Sequence, residues 1–239
     1  MEISMLDLID SIVGMTAIGV CLVAVSSALD ISLAKRLGFA AIAGAWVGLA
    51  SGLGAAGDLE FANSPIPLIG VLNATPMLVV GALAITNRAF RSALMAIPTS
   101  LLIGLNSMRA LGVLFLFLVV DGRLSGPFPF SAGLGDIITG IIAVPLALTV
   151  ARSRSLPTSA IARWNLFGAL DLVAAIVLGI TSANGSPLQL FHFGVGSQAM
   201  QELPFCLVPT VLVPFYLITH AIVAAQLAAQ RPAGALSHA

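Results

Sequence analysis

Charge is what this sequence has least of. Only 8% of its 239 residues are Asp, Glu, Lys or Arg, against about 25% in soluble globular chains. A soluble domain of this length could bury a core, but it would have too few charges to coat its surface. With 59% apolar residues and a mean hydropathy of +1.07, the outside of the folded chain has to face lipid. Soluble enzymes, nucleic-acid-binding proteins and disordered chains are thereby excluded. Two cysteines, Cys21 and Cys206, are too few for a disulfide framework. The histidines His192, His220 and His238 are scattered along the chain, whereas a metal site needs clustered ligands, so neither a metal nor a cofactor is expected. Lys35 stands alone against nine arginines, which together with abundant Ala and Gly points to a bacterial source. The net charge is zero, which suggests no anionic partner. The stretch from Met1 to Asp10 has acids but no base, so no cleaved signal peptide is expected.

What is present is a series of long apolar stretches. A transmembrane helix needs about 20 mostly apolar residues, and seven stretches qualify: Ser11–Leu29, Leu37–Ala56, Ile66–Thr86, Pro98–Val120, Phe128–Val150, Ala160–Ala183 and Leu203–Ala228. Turn-forming and charged residues separate them. The expected fold is an all-α, polytopic transmembrane bundle of about seven spans forming one domain over residues 1–239. With seven spans, Lys35, Arg36, Arg88, Arg91, Arg152, Arg154, Arg163 and Arg231 fall on one side, eight basic residues against Arg123 alone on the other. By the excess of Lys and Arg in cytoplasmic loops, the N-terminus is expected outside and the C-terminus in the cytoplasm of a bacterial inner membrane. The longest loop, Asn184 to Glu202, holds Phe191, His192 and Phe193 and is expected to fold back on the membrane or cap the bundle.

Two features speak to packing. In the second stretch Ala40, Gly44, Gly48, Gly52 and Ala56 recur every four residues, a small-residue stripe that permits close helix contact. Packing inside the bundle is the expected use, with a homodimer seam as the alternative. The last stretch holds Pro209 and Pro214. Each removes a backbone hydrogen bond, and carbonyls freed at membrane depth must find partners or line a cavity. They are candidate hinges, or else a fixed kink.

Four ionisable residues lie deep inside the predicted spans: Arg109, Asp136, Asp171 and His220. A charge at a helix centre costs about 2.5–3.5 kcal/mol on insertion scales, so these side chains are expected to face inward and find partners. Arg109 with Asp136 is the expected ion pair, because their spans are consecutive and their depths agree. Asp171 could join them, and one of two acids sharing one cation would then hold a proton. Asn106 lies one turn before Arg109, and Tyr216 one turn before His220, as further candidates for a substrate or proton path. A retinal Schiff base needs a lysine within a span, and Lys35 lies in a loop. Gly194-Val-Gly196 superficially matches a dinucleotide-binding fingerprint, but it follows no strand.

The later part of the chain has a recognisable pattern. It runs Arg109-Ala-Leu-Gly112, Gly122-Arg-Leu, Ala132-Gly-Leu-Gly-Asp136-Ile, Trp164-Asn-Leu-Phe-Gly168-Ala-Leu-Asp171, then Val213-Pro214 with His220. From Ile66 to Gln226 the chain resembles a group of uncharacterised small multi-pass membrane proteins from bacteria. The resemblance supports the spans and singles out the same polar residues, and it implies no activity. The leading expectation is a membrane bundle that binds or transports a small molecule or ion, with Arg109 anchoring an anionic group or balancing Asp136, and Tyr216 and His220 as an inner gate. The alternative is a scaffold or accessory subunit, with a homodimer or membrane-complex partner. A third reading, an intramembrane enzyme acting on a lipid or quinone, lacks a nucleophile–base pair.

Overall fold

In lipid every backbone N–H and C=O must be satisfied within the chain, which leaves helices as the economical solution for apolar runs of this length. The computed structural model describes residues 5–63, 67–152 and 157–230. Its described residues form helices α1 (Met5–Ala28), α2 (Leu33–Ala56), α3 (Leu68–Thr86), α4 (Arg88–Met95), α5 (Thr99–Val120), α6 (Pro127–Arg152), α7 (Thr158–Ser182) and α8 (Val208–Ala229), and no strand. All but α4 are long and apolar enough to cross a membrane, so the seven expected spans are present. Ile66, Arg154, Arg231 and His238, named above, lie outside the described residues.

The spans differ from expectation at their ends, for identifiable reasons. Helix α1 begins at Met5 rather than Ser11, which carries Asp7 and Asp10 into it. Asp7 is neutralised by Arg123 (2.6 Å), and Asp10 is buried on the inner face. Helix α8 begins at Val208 rather than Leu203. Pro209 then occupies its first turn, where a missing N–H leaves no bond unmade. Helix α4 lies in the break between the third and fourth expected stretches. Its start is fixed by Asn87, whose side chain accepts from the Phe90 N–H (3.0 Å), a local cap that the apolar-run search does not detect.

Helices α5 and α8 form the centre, with 44% of the residues in their most apolar windows buried, whereas α2, at 11%, is peripheral. Two apolar clusters stack along the bundle. One includes Val25, Ile97, Leu102, Ile161, Trp164 and Val223. The other includes Phe115, Leu118, Phe128, Met200 and Phe205. At the first end Gln226 ties the α4–α5 connection, donating to the carbonyls of Ile97 (2.8 Å) and Met95 (3.2 Å). The second end is closed by the chain between α7 and α8. There Gln201 accepts from the Phe61 N–H (2.8 Å), Ser125 N–H donates to the Gly196 carbonyl (2.9 Å), and Ser197 Oγ donates to the Gly179 carbonyl (2.6 Å). This loop caps the bundle. Gly196 adopts φ +57°, and a Cβ there would collide with the Ser182 carbonyl, so its glycine serves a tight turn and not a nucleotide.

The small-residue stripe of α2 is not used as expected. Ala40, Gly44, Gly48, Gly52 and Ala56 are all exposed, and no atom lies within 4 Å of a Cβ built at Gly44, Gly48 or Gly52. The close helix contact is instead between α5 and α6. On α6, Gly133, Asp136, Gly140, Ala143 and Ala147 recur at alternating spacings of three and four, one helical face. A Cβ at Gly133 would sit 3.0 Å from the Gly112 carbonyl oxygen, one at Gly104 3.7 Å from the Ala147 Cβ, and one at Gly140 would overlap the Ala110 backbone nitrogen. Opposite this face α5 tightens into a 3₁₀ turn over Asn106–Gly112, a local rewinding often found at functional positions.

The two prolines of α8 form a fixed kink. Val208–Leu212 is wound as a π turn, with the Val213 N–H reaching the Val208 carbonyl. The carbonyls four and five residues before Pro214 therefore lack a backbone donor. Side chains of two other helices supply one each. Trp46 Nε1 of α2 donates to the Thr210 carbonyl (3.0 Å), and Asn73 Nδ2 of α3 donates to the Pro209 carbonyl (2.6 Å). Both orphans are tied to neighbouring helices, which argues against Pro209 and Pro214 as a hinge.

The contrast between the two glycine faces gives a measurable expectation. Gly140→Ala overpacks the α5–α6 contact and lowers stability by about 1–3 kcal/mol, whereas Gly48→Ala leaves it unchanged or raises it by up to about 1 kcal/mol. Unfolding of the two variants in detergent, side by side, measures the difference. Equal responses would refute the assignment of the packing face.

Candidate functional site

The four ionisable residues expected at depth converge on one point between the two apolar clusters. Arg109 projects from the 3₁₀ turn of α5. Its Nε donates to Asp136 Oδ1 of α6 (2.6 Å), and its Nη2 donates to Asp171 Oδ2 of α7 (2.6 Å). Its Nη1 donates to the Gly168 carbonyl of α7 (3.1 Å) and meets His220 Nε2 of α8 (3.0 Å). The Tyr216 ring lies below the guanidinium, 5.9 Å from its centroid to Cζ, a distance at which a cation and a ring attract. Helices α5 to α8 thus share a single cation, and its side chain is 1% exposed.

Glycines make the convergence possible. A Cβ at Gly135 would overlap the Asp171 carboxyl, one at Gly112 would lie 2.6 Å from the Asp136 Cβ, and one at Gly168 would lie 2.7 Å from His220 Cε1. Each glycine is the space a polar side chain occupies.

The state of His220 follows from its partners. Asn165 Nδ2 donates to the His220 carbonyl (3.1 Å), so Asn165 Oδ1 is the oxygen that faces His220 Nδ1 (2.8 Å). An amide oxygen only accepts, so Nδ1 carries the proton and Nε2 accepts from Arg109. The ring is held from the other side by Trp164, 5.1 Å between centroids, whose Nε1 donates to the Thr139 carbonyl (3.1 Å). His220 and Tyr216 are therefore parts of the Arg109 cluster and not a separate gate. Asn106 lies one turn away, donating to the Leu102 carbonyl (2.9 Å) and Thr219 Oγ1 (3.1 Å), and its buried Oδ1 has no partner. The expectation that Arg109 anchors an anionic ligand does not fit this geometry. Its guanidinium is engaged by two carboxylates, a carbonyl and an imidazole, and its side chain is 1% exposed.

Asp136 has the more exposed side chain of the two carboxylates, 15% against 8% for Asp171, and it borders two cavities. The smaller, about 60 Å³, lies between α1, α5 and α8 and is also lined by Asp10, Arg109 and Tyr216. The larger, about 270 Å³, lies under the α7–α8 cap, with an apolar lining that includes Phe115, Phe128, Leu172 and Met200, and polar groups from Asn73, Ser197 and Gln201. Asp136 is the one ionisable residue among the described residues that line the larger cavity. Among the described residues no group of three or more His, Cys, Asp or Glu could hold a metal ion.

Residues 66–228 match the model of a protein family described as a domain of unknown function, DUF8737. The chain belongs to that family. The matched region holds every residue of the Arg109 cluster and of the larger cavity except Phe61. No curated protein and no solved structure matches the chain.

Sequence reading missed Asn165 and the glycines at 112, 135 and 140 as members of the site. Asn165 is one turn before Gly168, and the glycines flank Arg109 or Asp136 within a few residues. The available signal was therefore small residues beside buried charges.

Two outcomes follow. Arg109→Ala leaves two buried carboxylates without their cation and lowers stability by about 3–5 kcal/mol. Asp136→Asn costs less, because one carboxylate still balances the guanidinium; unfolding in detergent ranks the two, and a reversed order would overturn this account of the cluster. Nitrogen NMR of histidine-labelled protein should find His220 neutral with its proton on Nδ1, and Asn165→Ala should populate both tautomers.

Proposed function

We propose that this protein binds a small, largely apolar molecule in the 270 Å³ cavity and carries it across a bacterial inner membrane, with the polar end of the molecule placed at Asp136. The observation that supports this reading is the meeting of an apolar cavity and one partly open carboxylate at the edge of a buried ion cluster. Ligand sites are commonly apolar hollows with a few placed polar groups, and ionisable residues at membrane depth commonly mark substrate or proton pathways. In this reading Arg109 sets the position and charge of Asp136, Asp171 completes the charge balance, and His220, Tyr216 and Asn106 hold the cluster in place. The basic residues Lys35, Arg36, Arg88, Arg91, Arg152 and Arg163 lie towards the end of the bundle opposite Arg123, and we assign that end to the cytoplasm by the excess of Lys and Arg on that side of membranes.

A second reading, a subunit that docks on another membrane helix, is favoured by one observation, the exposed small-residue stripe of α2. Co-purification of a stoichiometric partner lost on Gly48→Leu would support it. The enzyme reading finds no nucleophile–base pair in the cluster, since Asp136, Asp171 and His220 all engage Arg109.

Native mass spectrometry of the protein released from its own membrane, with an absorption spectrum alongside, tests the leading reading. The expected result is a bound small molecule, lost when Ala175→Trp fills the cavity. Uptake of that molecule into vesicles should vanish in Asp136→Asn. A ligand that survives both substitutions would sink the assignment of the site.

A further inference from the structure

The ions of the cluster do not balance. Arg109 contributes one positive charge. Asp136 and Asp171 contribute two negative charges when both are ionised. His220 contributes none in its Nδ1–H form, since its Nε2 accepts from Arg109. Tyr216 offers Arg109 its ring face. The remaining titratable group facing Asp136 is Asp10 of α1, across the smaller cavity, and it is a further acid. No other base lines either cavity that Asp136 borders, among the described residues. The fully ionised cluster therefore carries one negative charge in excess at membrane depth, where an uncompensated charge is strongly disfavoured. Two states remove it: one carboxyl takes a proton, or a monovalent cation sits against the open carboxylate.

We propose that the larger cavity takes a small apolar monocation, an organic ammonium, which exchanges with a single proton at the Asp136–Arg109–Asp171 cluster. This rests on the reading of the cavity as a ligand site and names its substrate class. The exchange balances: the empty site holds one carboxyl as COOH, the ammonium enters and pairs with Asp136 as COO⁻, and one proton leaves to water. No covalent bond other than that O–H is broken. The cavity lining favours the hydrocarbon part, and a cavity of about 150 Å³ already accepts benzene, so a phenylalkyl ammonium fits 270 Å³. Anions are disfavoured because Arg109 is already engaged and the charge left over is negative.

The test uses three probes of nearly the same shape: phenethylammonium, neutral 2-phenylethanol and anionic phenylacetate. Binding to the purified full-length protein in detergent is measured by titration calorimetry between pH 5 and 8, a range in which phenethylammonium stays charged. The expected order is cation over alcohol by at least about tenfold, with the anion weakest; one charge compensated in a low-dielectric site is ample for such a ratio. Cation affinity rises with pH, by up to about tenfold per unit where the cluster is protonated when empty, because the proton competes. Calorimetry in buffers of different ionisation enthalpy should find about one proton released per ammonium bound in that range. The decisive variant is Asp171→Asn. Asp171 does not line the cavity, yet removing its charge neutralises the cluster, so the cation preference and its pH dependence should both disappear while 2-phenylethanol still binds. Asp136→Asn should do the same. Retained alcohol binding shows that these variants are folded.

Binding of all three probes with similar affinity and no pH dependence would overturn the cation–proton exchange and leave the cavity reading intact. Cation preference that survives Asp171→Asn would overturn the charge-count argument. Failure of every probe to bind would overturn this inference, and the native mass spectrum decides separately whether the cavity holds another ligand.

Discussion

A guanidinium in the middle of a lipid-facing bundle has to be surrounded by acceptors, and this one requirement organises the central helices. Arg109 has five N–H donors in a fixed plane, and no single helix can meet them. Helix α6 brings Asp136, α7 brings Asp171 and the Gly168 carbonyl, and α8 brings His220. The relative depth of four helices is fixed by where their acceptors meet the plane of the guanidinium. The apolar clusters above and below add packing, but apolar side chains slide past one another in lipid with little preference for depth. The polar layer is what specifies register.

That layer demands close approach of backbones. The path from α5 to α6 is shortened by glycines on both sides and by the 3₁₀ winding of Asn106–Gly112. Gly168 is used twice, since its carbonyl accepts from Arg109 and its missing side chain admits the His220 ring. Two neighbours act on the histidine: Asn165 chooses the nitrogen that carries the proton, and Trp164 packs against the ring. Asp136 is bound on one oxygen and partly open, a combination that leaves it free to respond to what enters the cavity.

Much of this was legible in the sequence because lipid imposes simple rules. Apolar runs bounded by turns had to be spans, and charges within them had to meet. The pairing of Arg109 with Asp136 followed from consecutive antiparallel helices at matched depth. Three things were not legible. The four-residue stripe of α2 and the mixed three-and-four stripe of α6 both qualify as packing faces, and nothing local tells which one meets a neighbour. The start of α1 was hidden by Asp7 and Asp10, whose acceptability depends on Arg123, distant in sequence, and on the burial of Asp10 in the bundle. The cavity, being the space left between α3, α5, α6, α7, α8 and the cap, has no residue signature at all.

The family match begins at residue 66, which leaves α1 and α2 outside it. The indole of Trp46 nevertheless crosses that boundary to satisfy the Thr210 carbonyl that Pro214 leaves without a donor. Water could take over this role at a surface, but hydrocarbon offers no substitute. A relative that keeps Pro214 and dispenses with α2 must therefore supply a donor from elsewhere, either another helix of its own or a separate polypeptide. Helix α2, peripheral by burial, is in this sense a built-in partner for a proline that the matched region does not satisfy by itself.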